Sequence, residues 1–538
     1  MSPATGCFMT LQPHGENKTL FTLKWQNPLD ISRTHSVLWN AASRLLQVGL
    51  QFVFVPIYIS LLGPASYGLV VLSATLMAVF AFLDHMTSSA VTREFGMYNG
   101  NPDRSSDMWK LLTALEKFSL LVALIIAVCA PFLGFYFTQH WTKTDGLDEA
   151  TLWTALALIG GMLAAQCLNI LYAAGLLGLQ RQKLLSVIRV FWTPAYYGIG
   201  AVLLLTVERS VVVLFAWQIA AFLILAAVTR WILWQTMPAI PQGQHSSYRV
   251  ITEMGRFGAG SLIMVLSGAA VSQIDKFMVA SIAQPVQFAA YGLALSIVMQ
   301  AMTLASGPFA TAMYPHFSKL LADKNETVLR HSYHRWTQVT VMVSVLLGGA
   351  LFLLGPLLID LWLGTSSVLA PDVKRLMPIV IIAWVINGAI TAPVMLIMAL
   401  GTLHLICALN FVIVGLAIVF LPLALARWGF EAGPYYWLLV NLAYCFIMVP
   451  LLHRSILKSA LPRWLCLDVM LPLGIGGLVF YNASQLVPAD ASSVYVVLHA
   501  ALSVSVCAVA LIIVLAQARQ QLLESLQFLR GSILTGKR

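Results

Sequence analysis

VLWNAASRLLQVGLQFVFVPIYISLLGPASYGLVVLSATLMAVFAFL, Val37 to Leu83, is the stretch that decides the fold. It runs for 47 residues with one charged side chain, Arg44, and is broken at Gly63-Pro64. The segments on either side of that pair approach or exceed the roughly 20 mainly apolar residues that carry a helix across a bilayer. The second span is entered from a short, charge-free outer loop that contains Pro64. The stretch therefore predicts two membrane-crossing helices joined by a tight turn.

The pattern continues along the chain. With 37–62 and 67–91 as the first two, further stretches of spanning length lie near 114–137, 151–177, 184–206, 211–235, 257–281, 287–311, 338–362, 377–400, 404–426, 435–457, 465–482 and 494–517. The whole chain is 59% hydrophobic and 10% charged, far from the roughly 25% charged of a soluble domain. Loops hold at most about 25 residues, which leaves no room for a sizeable soluble domain. The expected fold class is all-α, a polytopic membrane protein with 14 transmembrane helices.

A net charge of +10 in a soluble protein would suggest nucleic acid, but here the cations follow topology. With the N-terminus inside, the inner segments hold 22 Lys and Arg and the outer loops five, Lys143, Arg209, Lys374, Arg375 and Arg427. That split matches the positive-inside rule for an even number of spans with both termini cytoplasmic. Residues 1–35 are polar and lack the basic start, short apolar run and cleavage site of a signal peptide, so they read as a cytoplasmic extension. The seven cysteines have neither metal nor redox spacing and read as small apolar filler.

Repetition supplies the internal boundaries. Ala65-Ser66-Tyr67-Gly68-Leu69 enters the second span and Ala289-Ala290-Tyr291-Gly292-Leu293 the eighth, 224 residues later. Each follows a short, proline-containing outer loop (Pro64, Pro285). The period is thus six spans, and two parallel repeats place a substrate site at the interface between lobes. The expected organisation is an N-terminal extension 1–35, a first lobe 36–236, a linker 237–256, a second lobe 257–458, two further spans within 459–518, and a cytoplasmic tail 519–538.

Ionisable side chains deep in a bilayer cost about 2.5–3.5 kcal/mol each on insertion scales, so each needs a reason. Asn40, Arg44, Gln47 and Gln51 share one helical face of the first span. Such a stripe faces either a wet cavity or a neighbouring helix to which it hydrogen-bonds, and the arginine favours the cavity. In the seventh span Ser261, Gly268, Ser272 and Asp275 share a face, with Gln273 and Lys276 beside it. Asp275, on its short stem, is expected to face the interior and is the candidate protonatable group; Lys276 either joins it or snorkels outward. Asp84 in the second span and Arg189 in the fifth complete the candidates, Arg189 with snorkelling as its alternative. Asn387, Asn410 and Asn441 read as helix–helix contacts and His499 as a satisfied interfacial histidine. Pro194, Pro308, Pro393 and Pro450 interrupt spans and are expected to kink them.

No phosphate-binding loop of the ATPase type, metal-spaced cluster or nucleophile elbow is present in the sequence, so the expectation is a transporter without cofactor rather than an enzyme. A membrane-embedded polymerase or transferase is the rival from another class. It would need an ordered extramembrane segment, and the outer loop 138–150, with Asp145, Asp148 and Glu149, is too short to form one.

The run Pro56-Ile57-Tyr58-Ile59-Ser60-Leu61-Leu62-Gly63-Pro64-Ala65-Ser66-Tyr67-Gly68 resembles the first junction of bacterial polysaccharide flippases. These belong to the multidrug/oligosaccharidyl-lipid/polysaccharide exporter superfamily. Thr92-Arg93-Glu94-Phe95, Gln273-Ile274-Asp275-Lys276-Phe277-Met278, Ala290-Tyr291-Gly292-Leu293-Ala294 and Tyr314-Pro315-His316-Phe317-Ser318 are similar to later motifs in the same order. The resemblance implies two six-helix lobes around a central cavity plus two extra C-terminal helices, in the bacterial inner membrane. It implies flipping of undecaprenyl-pyrophosphate-linked oligosaccharide for O-antigen, capsule or exopolysaccharide, by ion-coupled alternating access. Arg44, Asn40, Gln47, Gln51, Arg189, Gln273 and Lys276 would then bind substrate. Asp275 and Asp84 would couple to a proton or sodium gradient, and a polysaccharide polymerase and chain-length proteins would be neighbours. Within the superfamily the rivals are a multidrug cation antiporter, which wants acids and aromatics in its cavity, and a peptidoglycan-precursor flippase, which wants more first-lobe arginines.

Overall fold

Gly63, at φ +82°, ends α1 (Ile31–Leu62), and Pro64 opens α2 (Pro64–Tyr98), three residues before the expected start of the second span. The structure is a computed structural model that describes residues 31–98, 105–140, 147–237, 249–488 and 490–515. The remaining expectations about the N-terminal extension, most of the linker and the tail lie outside the described residues. The helices that follow are α3 (Ser105–His140), α4 (Glu149–Gly178), α5 (Gln182–Thr206), α6 (Val211–Thr236), α7 (Arg249–Ile282), α8 (Pro285–Ala322), α9 (Glu326–Leu363) and α10 (Ala370–Leu400). Then come α11 (His404–Trp428), α12 (Ala432–Ala443), α13 (Val449–Ser455), α14 (Leu461–Arg463), α15 (Leu471–Gln485) and α16 (Ser493–Val514). No strand occurs among the described residues.

Chain reversals are built from two devices. Gly364, Gly401 and Gly429 take positive φ values of +86°, +71° and +65°, where a side chain would be strained. Elsewhere a polar side chain caps the next helix: Asp148 accepts from the Thr151 amide at 3.0 Å, Asn325 from Val328 at 3.1 Å and Ser492 from Tyr495 at 3.2 Å. Hydrogen bonds from Thr151 hold the Asp148 carboxyl below the usual carboxylate range. That acid of the outer loop is thus engaged as a cap.

Thirteen segments among the described residues are long and apolar enough to cross a membrane, and one of them, His404–Ser455, has 52 residues. A single helix of that length would run about 78 Å, more than twice the hydrocarbon core. It breaks at Gly429–Glu431 into two helical arms. The described residues therefore hold fourteen segments of crossing length.

Packing repeats with the same six-helix period as the sequence. α1 packs on α5 as α7 packs on α11; α2 packs on α4 as α8 on α10; α4 packs on α6 as α10 on α12. These are two lobes of one design. They meet through α2 against α7 and α8. A Cβ on Gly68 would strike the Pro285 carbonyl, and one on Gly292 would strike the Val71 side chain. At the glycines of the repeated Tyr-Gly-Leu motif the two lobes thus approach too closely for a side chain, as small residues allow between membrane helices. At the same end, the Trp362 indole donates to the Phe52 carbonyl at 2.6 Å, tying α9 to α1.

The two extra helices lie on α9, where Gly349 receives the ring of Phe480 and Gly476 receives Val345. Two π-helical segments, Tyr444–Met448 and Trp464–Met470, interrupt the last spans. Pro450 and Pro472 follow them. Each proline ring would press on the carbonyl four residues back, at Phe446 and Asp468, and widening the turn relieves that clash. Pro194, Pro308 and Pro393 lie inside α5, α8 and α10.

Candidate functional site

Along α1, positions 40, 44, 47, 51, 55, 58 and 62 form one continuous face. Arg44 and Gln47 are exposed, Gln51 is half-buried, and Val55, Tyr58 and Leu62 are buried. The Asn40 side chain lies outside the described residues. One face thus changes from polar and open to apolar and sealed as it passes Gln51. The seal is α5: the Tyr58 hydroxyl donates to the Tyr197 carbonyl at 2.8 Å, and Phe54 stacks on Tyr197 with ring centroids 5.6 Å apart.

Beyond that anchor the exposed Arg44 and Gln47 have no such cover from the described residues. By alternation α1 and α5 run in the same direction. Arg44 lies about 21 Å before Tyr58 and Arg189 about 12 Å before Tyr197, from the helical rise. Both guanidinium groups are exposed, on the same side of the anchor. No described residue is a partner of Arg44; Arg189 has a further contact of its own.

The 224-residue offset sets Asp275 at the position of Gln51 and Gly268 at that of Arg44. The second lobe thus carries an acid where the first carries an amide, and no side chain where the first carries a cation. Asp275 is 0% exposed. It accepts from the Tyr291 hydroxyl and, at 3.0 Å, from the Trp437 indole. Tyr291 belongs to the repeated Tyr-Gly-Leu motif, so the residues that join the lobes also hold this carboxylate. The other Asp275 oxygen has no hydrogen bond and faces the Lys276 amine at 3.5 Å.

Lys276 does not snorkel outward. Its amine donates to the Ser272 carbonyl one turn back, at 2.6 Å, and sits 5.6 Å from the centre of the Trp437 ring. Gln273, 7% exposed, donates to the Ser272 hydroxyl at 3.3 Å while its carbonyl oxygen is unpartnered. Asp275 and Lys276 are therefore gathered inside the second lobe between α7, α8 and α12, whereas Gln273 bonds only within α7. The side chains of Asp84 and Ser261 lie outside the described residues.

Other span residues are engaged structurally. Asn387 donates to Asn441 at 2.8 Å, Asn410 donates to Ser267 at 3.2 Å and accepts from Tyr444, and His499 contacts the Ala483 carbonyl at 2.9 Å. Glu116 binds Arg230 at 2.9 Å, and that guanidinium covers the Trp234 ring at 3.8 Å, fastening α3 to α6. Sequence reasoning missed one group entirely: Asp468, His334, Gln338, His453 and Tyr333, buried together where α9 meets α13 and the second π-helical segment.

A family model described as polysaccharide biosynthesis protein matches residues 34–321, just over half of the chain. No curated protein sequence matches significantly. Among solved structures, the chain is similar to lipid II flippase MurJ in an inward closed conformation, with 12% identity, 88% of this chain and 97% of that one covered, and a TM-score of 0.65. It is also similar to an inward-facing multidrug resistance MATE family transporter of the MOP superfamily, with 16% identity, coverage of 80% and 99%, and a TM-score of 0.60. A Vibrio cholerae MATE transporter follows at 14% identity, coverage of 80% and 98%, and a TM-score of 0.51. At these identities the likeness establishes the fold: two six-helix lobes around a central cavity, with two helices added.

Proposed function

Because the chain belongs to the polysaccharide biosynthesis protein family, we propose that it flips polyprenyl-pyrophosphate-linked oligosaccharide from the cytoplasmic to the periplasmic leaflet of the bacterial inner membrane. The observation that carries this reading is the face of α1. An exposed arginine with glutamine companions is not stable against hydrocarbon, so that half of the face borders water. A guanidinium there offers paired, charge-assisted donors to a pyrophosphate. The glutamines, with Asn40, supply neutral hydrogen bonds to sugar hydroxyls, and Arg189 on α5 supplies a second cation.

The lobes are taken as 36–236 and 257–458, with both termini cytoplasmic and spans 13 and 14 added after them. Contacts at Gly68–Pro285, Val71–Gly292 and Phe52–Trp362 then close the periplasmic end. Substrate enters from the cytoplasm and leaves when these contacts part. Asp275, with Asp84, couples that exchange to a proton or sodium gradient. A polymerase and chain-length proteins receive the product.

The cation-antiporter alternative draws on Asp275 and its aromatic neighbours, Tyr291, Tyr436 and Trp437. Lys276 at 3.5 Å neutralises that acid, and the acid is fully buried, which leaves a cationic drug no open carboxylate there. The test of the leading reading is Arg44→Ala in a cell that depends on this chain for its surface polysaccharide. The polymer is expected to be lost at unchanged protein level; normal polymer would remove Arg44 from the site.

A further inference from the structure

We propose that His334 and Asp468 form a proton-binding site at the seam between α9 and the thirteenth span, away from Asp275 and from the interface of the two lobes. Asp468 is 0% exposed and His334 1%. The His334 Nδ1 bonds one carboxylate oxygen, and the Gln338 amide donates to the other at 2.8 Å. Among the described residues, this imidazole is the ionisable group bonded to Asp468, with Tyr333 and His453 as its electrostatic neighbours.

A buried carboxylate beside a neutral imidazole carries an uncompensated charge, whereas a carboxylate beside an imidazolium is a neutral pair. The difference is one proton, and binding it changes how firmly the thirteenth span is held to α9. The pair therefore works as a proton site by its composition.

The surroundings support an exchangeable group rather than a finished structural network. Tyr333 Oη, His453 Nε2 and Trp464 Nε1 are buried in the same cluster without hydrogen-bond partners. Their rings are neighbours: Tyr333 lies 5.4 Å from His453, and His453 lies 5.9 Å from Trp464. A purely structural polar network is normally satisfied throughout. Asp468 also sits in a π-helical turn, a feature concentrated at functional sites.

Of the titratable groups on the packed elements, α8 brings His316, whose Nε2 contacts the Ser332 hydroxyl at 2.7 Å, with Tyr314 and Lys319 near it, and α9 opens at Glu326. α9 brings Tyr333, with Arg330, His331 and Arg335 on the preceding and adjoining positions and Asp360 at the far end. α13 brings His453 and the exposed Arg454; the first π-helical segment brings Tyr444 and Cys445. The segment of Asp468 adds the exposed Cys466 and, just before it, exposed Arg463. α10 carries Asp372, Lys374 and Arg375 only at its opposite end, α15 carries Tyr481, and α16 carries Tyr495, His499 and Cys507. His453 is the other imidazole of the cluster. Its Nδ1 donates to the Val449 carbonyl at 2.8 Å rather than to Asp468, so it is a neighbour of the pair and not a member of it.

Trp464 is the reporter. Full-length protein in lipid nanodiscs, labelled with fluorotryptophan, gives a Trp464 fluorine resonance identified by its loss in Trp464→Phe. Over a pH series this resonance is expected to move along a one-proton curve. The movement is expected to be lost in His334→Asn and in Asp468→Asn, and to persist in His453→Gln. A resonance that stays still in the unaltered protein, or that moves equally in His334→Asn, overturns the proposal. Should Asp468→Asn fail to give monodisperse protein, His334→Asn, which keeps a donor where Nδ1 stood, carries the test alone.

Discussion

At the scale of single residues, the molecule divides its charged groups between its halves. Arg44 stands open on α1, whereas Asp275, one repeat beyond Gln51, is fully enclosed. The enclosure has a clear energetic consequence. Removing the Tyr291 hydroxyl leaves a buried carboxylate short of a donor, a loss of about 1–3 kcal/mol. Tyr291→Phe is accordingly expected to lower thermal stability in detergent, and a melting curve identical to that of the unaltered protein would count against the hydrogen bond. Asp275→Asn keeps the shape but removes the charge. In that variant transport is expected to become insensitive to an uncoupler or sodium ionophore; continued collapse of transport on their addition would exclude Asp275 as the coupling group. Arg44 and Asp275 were legible in the sequence because each is a charge in an apolar run. Asp468, His334 and His453 were not, because each stands alone near a span end, where a polar residue is ordinary. Only folding brings positions 334, 453 and 468 together.

At the scale of helices, the lobes meet without room for a side chain at the glycines of the repeated motif. The two are not equivalent. A methyl on Gly68 meets backbone, the Pro285 carbonyl, which has no rotamer to change; one on Gly292 meets the Val71 side chain, which has. Gly68→Ala is therefore expected to spread the lobes at this end and to reduce transport strongly, with no rescue by neighbouring side-chain changes. Gly292→Ala is expected to be milder and to be restored by Val71→Ala. Distances between spin labels on α2 and α8 would report the spreading, and equal behaviour of the two glycine variants would refute the asymmetry. The motif itself was readable as a repeat, and its pairing across the lobe interface was not, since offset alone does not say which faces meet. The fourteen helices were readable from apolar length. The π-helical turns escaped notice because Pro450 and Pro472 announce a disturbance without announcing its form.

For the whole molecule, the six-helix repeat, the closed end and the open polar face of α1 describe a two-lobed carrier resting in one of its states. The packing scheme repeats, but the chemistry on it does not: a cation and amides line the first lobe, and an enclosed, lysine-paired acid marks the second. On the function proposed above, that asymmetry serves an anionic head group driven by a small ion. It is tested most directly by reconstituting the purified chain in liposomes with a fluorescent polyprenyl-pyrophosphate-linked oligosaccharide and measuring how much label becomes shielded from an external quencher. Transfer between leaflets is expected with the unaltered chain, accelerated by an ion gradient and lost in Arg44→Ala. Shielding no faster than in empty liposomes, or transfer unchanged by Arg44→Ala, would contradict the account.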